Sequence, residues 1–295
     1  FLQVKAMTIA TIDIGGTGIK FASLTPDGKI LDKASTATPE TLEELLAWLD
    51  QRLSERDYRG IAMSVPGAVH QETGVIEGIS AIPYIHGFSW YEALAHHKLP
   101  IHLENDANCV GLSELLAHPE IENAACVVIG TGIGGAMIIN GKLHRGRHGL
   151  GGEFGYMTTI EPAEKLNNWS QLASTGNMVR YVIEKSGQSD WDGRKVYQEA
   201  AAGNALCQEA IERMNRNLAQ GLLNIQYLID PDVISLGGSI SQNPDFIKGV
   251  QKAVDAFVET YEEYTIAPVI QACTYQADAN LYGALVNWLQ EEKQW

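Results

Sequence analysis

The chain has 295 residues, 45% of them hydrophobic and 19% charged, enough for two modest domains with full cores and too apolar for disorder. Lys+Arg number 21 against Asp+Glu 36, a net charge of -15, and that field repels phosphate backbones, which argues against nucleic acid as a partner. No apolar run approaches the ~20 residues needed to span a bilayer, so no membrane is expected either.

Four cysteines (Cys109, Cys126, Cys207, Cys273) lie far apart and form no CxxC pair. They read as buried small side chains in a reducing compartment rather than a zinc knuckle or redox motif. The expectation is a soluble cytoplasmic protein acting on a small neutral substrate, with Phe1–Ala6 a remnant ahead of a native start at Met7.

In chain order, Thr8 to Ile14 is a β-branched run broken by Gly15-Gly16 and resumed as Ile19 to Leu24. Pro26-Asp27-Gly28 turns the chain, and a third strand begins at Lys29, giving an antiparallel meander. The first helix follows, with Thr38 as its cap, Pro39 at its first position, and Leu42, Leu45, Leu46, Leu49 and Leu53 as its apolar stripe. Gly60 to Val65 is a buried strand ending at Pro66-Gly67. Ile101 to Glu104 is another, and Ala107 to Leu116 is helical.

The second half repeats the theme. Ala124 to Ile129 is a strand, followed by GTGIGG, a strand over Ala136 to Ile139 and an Asn140-Gly141 turn. A long helix covers Ala205 to Leu228, Asp232 to Leu236 is a strand ending in Gly237-Gly238, and Phe246 to Val258 and Leu281 to Leu289 are helices. Strand meanders followed by helices, occurring twice, predict an α/β protein of two similarly built domains with a cleft between them.

Three apolar strands thus end in glycines: at Gly15-Gly16-Thr17, at Gly130 to Gly135, and at Gly237-Gly238. Glycine after a strand lets backbone N–H groups approach an anion with no Cβ in the way. Residues 130–135 also spell GxGxxG, but the dinucleotide fingerprint requires a helix next, and a strand is predicted there. There is no GxxxxGK[ST], so this is not a P-loop protein.

The ordered series Asp13-x-Gly15-Gly16-Thr17-x-x-Lys20, Glu104-Asn105-Asp106-Ala107-Asn108, GTGIGG, Gly152-Glu153-x-Gly155 and Leu236-Gly237-Gly238 resembles the ROK family of sugar kinases, over nearly the whole chain from Met7 onward. The resemblance implies an α/β, two-domain actin-like (hexokinase/ribonuclease H-like) ATPase fold with an interdomain cleft. Its small domain would span 7–118, with the helix 281–295 packing back onto it, and its larger domain 119–280.

By position, the resemblance places Asp13 near Mg2+, through water, and Gly15, Gly16, Thr17 and Lys20 at the phosphates of ATP. Thr131, Gly132 and Gly134 form a second phosphate loop, and Gly237 and Gly238 lie against the adenosine. Asn105 and Asp106 bind the sugar, Asp106 as general base; Glu153 and Tyr156 contact it further, and Gly67 lines the pocket. From the residues alone, Asn-Asp before a helix is also ordinary capping chemistry. The expected partners are a sugar, MgATP and a second copy of the chain.

Two departures from the family pattern matter. The usual histidine after Glu-x-Gly is Tyr156 here, and Met157 to Arg180 holds no Cys or His, so no structural zinc is expected and the pattern looks like the β-glucoside kinase branch. The usual asparagine before a Gly-Trp pair is missing from Ile82 to Trp90. Glucokinase, fructokinase and N-acetylmannosamine kinase are the neighbouring alternatives. A sugar-responsive repressor would carry a winged helix, for which the 12 residues before Asp13 leave no room. An ATPase switch of the actin or chaperone kind would not need the Asn-Asp pair with a downstream Glu-x-Gly.

Overall fold

The computed structural model describes residues 7–160, 166–261 and 263–295; Phe1–Ala6 lie outside the described residues. The chain divides into two compact units. Unit 1 takes the chain up to Glu120, Arg145–Leu150 and Asp278–Trp295, and unit 2 takes Ile121–His144 and Gly151–Ala277.

In unit 1, β1 (Ile9–Ile14), β2 (Gly18–Leu24) and β3 (Ile30–Ala37) form the meander, followed by α1 (Leu42–Ser54) and β4 (Gly60–Val65). A small hairpin, β5 (Ala68–His70) with β6 (Val75–Glu77), precedes α2 (Trp90–Ala93), β7 (Ile101–Asn105) and α3 (Asp106–Ala117). The sheet runs β3-β2-β1-β4-β7. Its first two pairings are antiparallel and its last two parallel. Every residue of β1 and β4 is buried, which explains why both are apolar but for Thr11, Asp13 and Ser64.

Unit 2 builds the same sheet again. Its strands are β8 (Ala124–Ile129), β9 (Ile133–Ile139), β10 (Lys142–Leu143), β13 (Val233–Gly237) and β14 (Ile270–Ala272), ordered β10-β9-β8-β13-β14. The pairings are again antiparallel, antiparallel, parallel, parallel. Between β10 and β13 come the hairpin β11 (Thr158–Ile160) with β12 (Leu166–Asn168) and the helices α4 (Trp169–Ala173), α5 (Thr175–Ser186), α6 (Gly193–Ala201) and α7 (Ala205–Ile229); α8 (Pro244–Thr260) follows β13. This duplicated sheet is the actin-like, hexokinase-type ATPase fold. The strand β9 starting at Ile133 also removes the dinucleotide-fingerprint reading.

The last helix, α9 (Ala279–Glu291), belongs to unit 1 and is buried at Ala279, Leu281 and every residue of Gly283–Leu289. It packs so closely on α3 that a Cβ at Gly283 would fall 1.7 Å from the Cys109 carbonyl oxygen. Trp288 fills the space where a side chain at Gly60 would be, and its Nε1 donates to Pro100 O at 3.2 Å.

Two expectations are corrected. The cap of α1 is Thr41, whose hydroxyl accepts from Glu44 N at 3.2 Å, not Thr38. Thr38 instead donates its hydroxyl to Gly15 O at 2.6 Å, bracing the first glycine turn, and the Tyr84 hydroxyl donates to Pro39 O. The second unit is also not continuous from 119 to 280, because Arg145 carries its segment into unit 1 by bonds to Glu104, Asn287 and Glu291. All four cysteines are buried free thiols. No helix among the described residues is long and apolar enough to cross a membrane.

Candidate active site

In unit 1 the end of β1, the turn after it and the start of α3 surround a cavity of about 560 Å³, whose wall includes Asp13, Gly15, Gly16, Thr17, Lys20, Asp106 and Asn280. Asp13 is 6% exposed and opposite Lys20 in the β1–β2 register. Its Oδ2 accepts from Lys20 Nζ at 3.2 Å and its Oδ1 from Asn280 Nδ2 at 2.9 Å. Asn280 lies 267 residues from Asp13, and no local motif in the sequence marks it. The glycine turn closes on itself through Gly15 N donating to Gly18 O at 3.1 Å.

Asn105 is the cap of α3, its Oδ1 accepting from Ala107 N and Asn108 N at 2.9 and 3.2 Å. Its Nδ2 donates to Gly67 O at 3.1 Å, and Gly67 has φ +103, where a Cβ would strike Glu77 O. Gly67 and Asn105 are thus joined to each other while Pro66, not Gly67, is on the cavity wall. Asn105 takes the capping bonds, and the Asp106 carboxylate accepts from the adjoining Ala107 N at 2.8 Å and from the Asn105 side chain.

Burial pushes the Asp106 carboxyl above the usual carboxylate range. The Ala107 N–H pulls it back, the negative charge of Asp13 raises it further, and the Asn105 side chain again opposes the rise. Behind Asp106, Glu104 is 2% exposed and its Oε1 accepts from Asn105 N and Asn108 Nδ2, both at 2.8 Å. Its Oε2 accepts from Arg145 Nε at 2.6 Å, and Arg145 Nη2 reaches Asn287 Oδ1 and Glu291 Oε1. Thus the strand-to-helix junction that presents Asp106 is fixed by a hydrogen-bonded ion pair whose carboxylate is buried and whose guanidinium is partly exposed.

In unit 2, Thr131 and Gly132 lie in the turn between β8 and β9, while Gly134 is inside β9 opposite Val128. Ser170, at the start of α4, accepts from Ile133 N at 2.9 Å, and Gly176 N donates to Gly130 O at 3.1 Å. A Cβ on Gly130 would meet nothing within 4 Å and one on Gly132 would meet Ser170 only at 3.5 Å; neither has a positive φ. Protein packing therefore does not demand glycine at either position.

Gly238 is the opposite case. With φ +90, its Cβ would fall 2.0 Å from Ile129 O, so the fold alone requires glycine there, and Gly237 is the last residue of β13, opposite Val128. The segment bearing Glu153 and Tyr156 packs on β9 through Gly155, where a Cβ would meet Ile133 O at 2.0 Å. Tyr156 is 72% exposed, so it is not a core residue.

The ROK family model matches residues 9–291. The chain belongs to the ROK family. Among curated ROK relatives, a β-glucoside kinase from Listeria monocytogenes is 34% identical over 97% of this chain and 99% of its own. A solved ROK family protein from Streptococcus pneumoniae TIGR4, in complex with sucrose, is 88% identical, covers 98% of this chain and 100% of its own, and superposes with a TM-score of 0.96. A ROK hexokinase from Thermus thermophilus, 25% identical over 97% of this chain and 100% of its own, superposes with a TM-score of 0.84.

Proposed function

We propose that this carbohydrate kinase transfers the γ-phosphate of ATP to the primary (6-) hydroxyl of a glucose-like sugar, with Asp106 as general base. The observation that carries the reading is the division of labour at the start of α3: Asn105 takes the capping bonds, and Asp106 lines the cavity beside Asp13 with its proton affinity raised by burial. A base poised above the ordinary carboxylate range accepts a proton from an attacking hydroxyl more readily. Asp106 takes the hydroxyl proton; the sugar oxygen bonds to the γ-phosphorus, the bridging β–γ bond breaks and ADP leaves.

The chain's other groups bind and orient. Gly16 and Thr17 offer backbone N–H groups to phosphate from the turn that the Gly15 N–H closes, and Thr131, Gly132 and Gly134 do so from unit 2, where the open space at Gly132 suits a closely approaching anion. Gly237 and Gly238 lie along the adenosine, Lys20 supplies positive charge, and Asn105, Glu153 and Tyr156 bind sugar hydroxyls. The buried Asp13 carboxylate, held by Lys20 and Asn280, still has lone pairs for the water shell of Mg2+. That ion neutralises phosphate charge when the nucleotide is bound.

For the acceptor we favour a β-glucoside such as cellobiose. The exposed ring of Tyr156 stands where the family's usual pattern has histidine, and it suits stacking on a second sugar unit. The β-glucoside kinase relative and the neighbour bound to sucrose, a two-sugar molecule, support a glycoside over a free hexose. The test is kcat/KM for cellobiose, methyl β-glucoside and sucrose against glucose and N-acetylmannosamine, in the wild type and in Tyr156→His. A preference for a free hexose by about tenfold, or roughly 1.4 kcal/mol in transition-state binding, would overturn the glycoside assignment while leaving the kinase.

A further inference from the structure

Away from the cavity, three side chains of unit 1 converge on one point. Asp50 lies on α1, with its side chain 45% exposed. His96 and His97 come from the short 3-10 turn Ala95–His97. His96 Nε2 lies 2.9 Å and His97 Nε2 2.7 Å from the same oxygen, Asp50 Oδ1. The two rings are 4.1 Å apart between centroids and tilted by 39°. None of the three lines the cavity at Asp13 and Asp106.

We propose that Asp50, His96 and His97 form a binding site for a divalent transition ion of the Zn2+ class. Two imidazoles aiming the same ring nitrogen at one carboxylate oxygen make the corner of a coordination sphere in which N–H protons stand in for the ion. All three ligand atoms lie within 4.8 Å of one another. Tetrahedral zinc, with bonds of about 2.0–2.2 Å, needs neighbouring ligands roughly 3.3–3.5 Å apart, so each imidazole–carboxylate contact has to widen by about half an ångström. Asp50 and His96 are exposed enough to make that adjustment, and a water completes the fourth position.

The turn that presents the two rings is firmly held. Leu94 is fully buried, His97 N donates to Leu94 O and Lys98 N to Ala95 O, and Lys98 closes the turn at φ 55. Imidazole with carboxylate suits Zn2+, Ni2+ or Co2+ and disfavours Mg2+, which prefers an all-oxygen shell. The ion would tie the 3-10 turn to α1 in the manner of a clip. It is a different ligand set from the cysteine-rich segment whose absence between Met157 and Arg180 the sequence shows.

The experiment is calorimetric titration of chelator-treated protein with ZnCl2 in excess MgCl2, which keeps any magnesium site filled, with Co2+ absorption as a second readout. The expected result is one equivalent bound, at least about tenfold weaker in His96→Gln and in His97→Gln, and undetectable in the double variant. The melting temperature should rise with zinc in the wild type only. His96 is the most exposed ligand, so the single His96→Gln variant tests the site even if the double variant folds poorly. No binding by the wild type below ~100 µM, or equal binding by His96→Gln, overturns the proposal.

Discussion

Asn105 and Asp106 are neighbours with different obligations, one to the helix and one to the cavity, and substitutions should separate them. Asp106→Asn keeps the shape and the bond from Ala107 N but removes the proton acceptor, so kcat should fall by about 10²–10⁴-fold. The same change should leave the melting temperature at pH 7 equal or higher. Because the folded carboxyl titrates above its unfolded value, its stabilising contribution is present below the unfolded pKa and is lost as pH rises through the folded one. At neutral pH the buried charge therefore works against the fold. A variant retaining a third of the wild-type rate would rule Asp106 out as base, and a lowered melting temperature would contradict the linkage. The acid limb of kcat/KM for the sugar should lie above the ordinary aspartate value of ~3.9. Asp13→Asn, which removes one of the causes of that rise, should move the limb to lower pH even as the rate drops; a limb that stays put would disconnect the two carboxylates.

The strand-to-loop junctions divide into glycines required by the protein and glycines that only a ligand would require. Gly238→Ala should cost on the order of 2 kcal/mol or more, from positive φ and the clash with Ile129 O. Gly132→Ala should leave chemical stability curves unchanged and weaken ATP binding, read by calorimetry against denaturant melts on the same samples. A second element-scale device is the Glu104–Arg145 pair behind β7. Breaking a fully buried pair costs ~3–5 kcal/mol, and Arg145→Ala should approach the lower part of that range because its side chain is 28% exposed. Normal stability in that variant would show that the junction needs no brace.

These junctions also show what was legible in the sequence. The central strands β1, β4, β8 and β13 were readable because burial on both faces leaves largely apolar runs that stop at glycine or at Pro66-Gly67. The capping of α1 was misread because Thr38 and Thr41 are equally good caps locally, and the bond from Thr38 to Gly15 O decides between them from 23 residues away. Arg145 and Asn280 left no signal at all. Their partners Glu104 and Asp13 are 41 and 267 residues distant, and no periodicity encodes a contact of that span. The exposure of Tyr156 depends on how its 3-10 turn, Phe154–Tyr156, is rolled on β9, which composition does not specify.

At the scale of the whole molecule, the net charge of -15 sets how substrates arrive. MgATP is an anion and the sugar is neutral, so added salt should screen the repulsion and raise kcat/KM for MgATP between ~10 mM and ~150 mM ionic strength. The value for the sugar should stay flat. A fall for MgATP would mean that local cations such as Lys20 outweigh the global field. The placement of α9 has a different consequence, for the order in which the molecule comes into being. On the ribosome, every strand of the first sheet emerges early, yet Gly60 and Cys109 wait for Trp288 and Gly283, which are translated only after the entire second unit. Domains generally fold as units during synthesis, so the second unit, continuous but for one short excursion, finishes first. The nascent first sheet meanwhile holds open the apolar seat of a helix not yet made, and through that interval the growing chain is at its most vulnerable to aggregation and to chaperone capture.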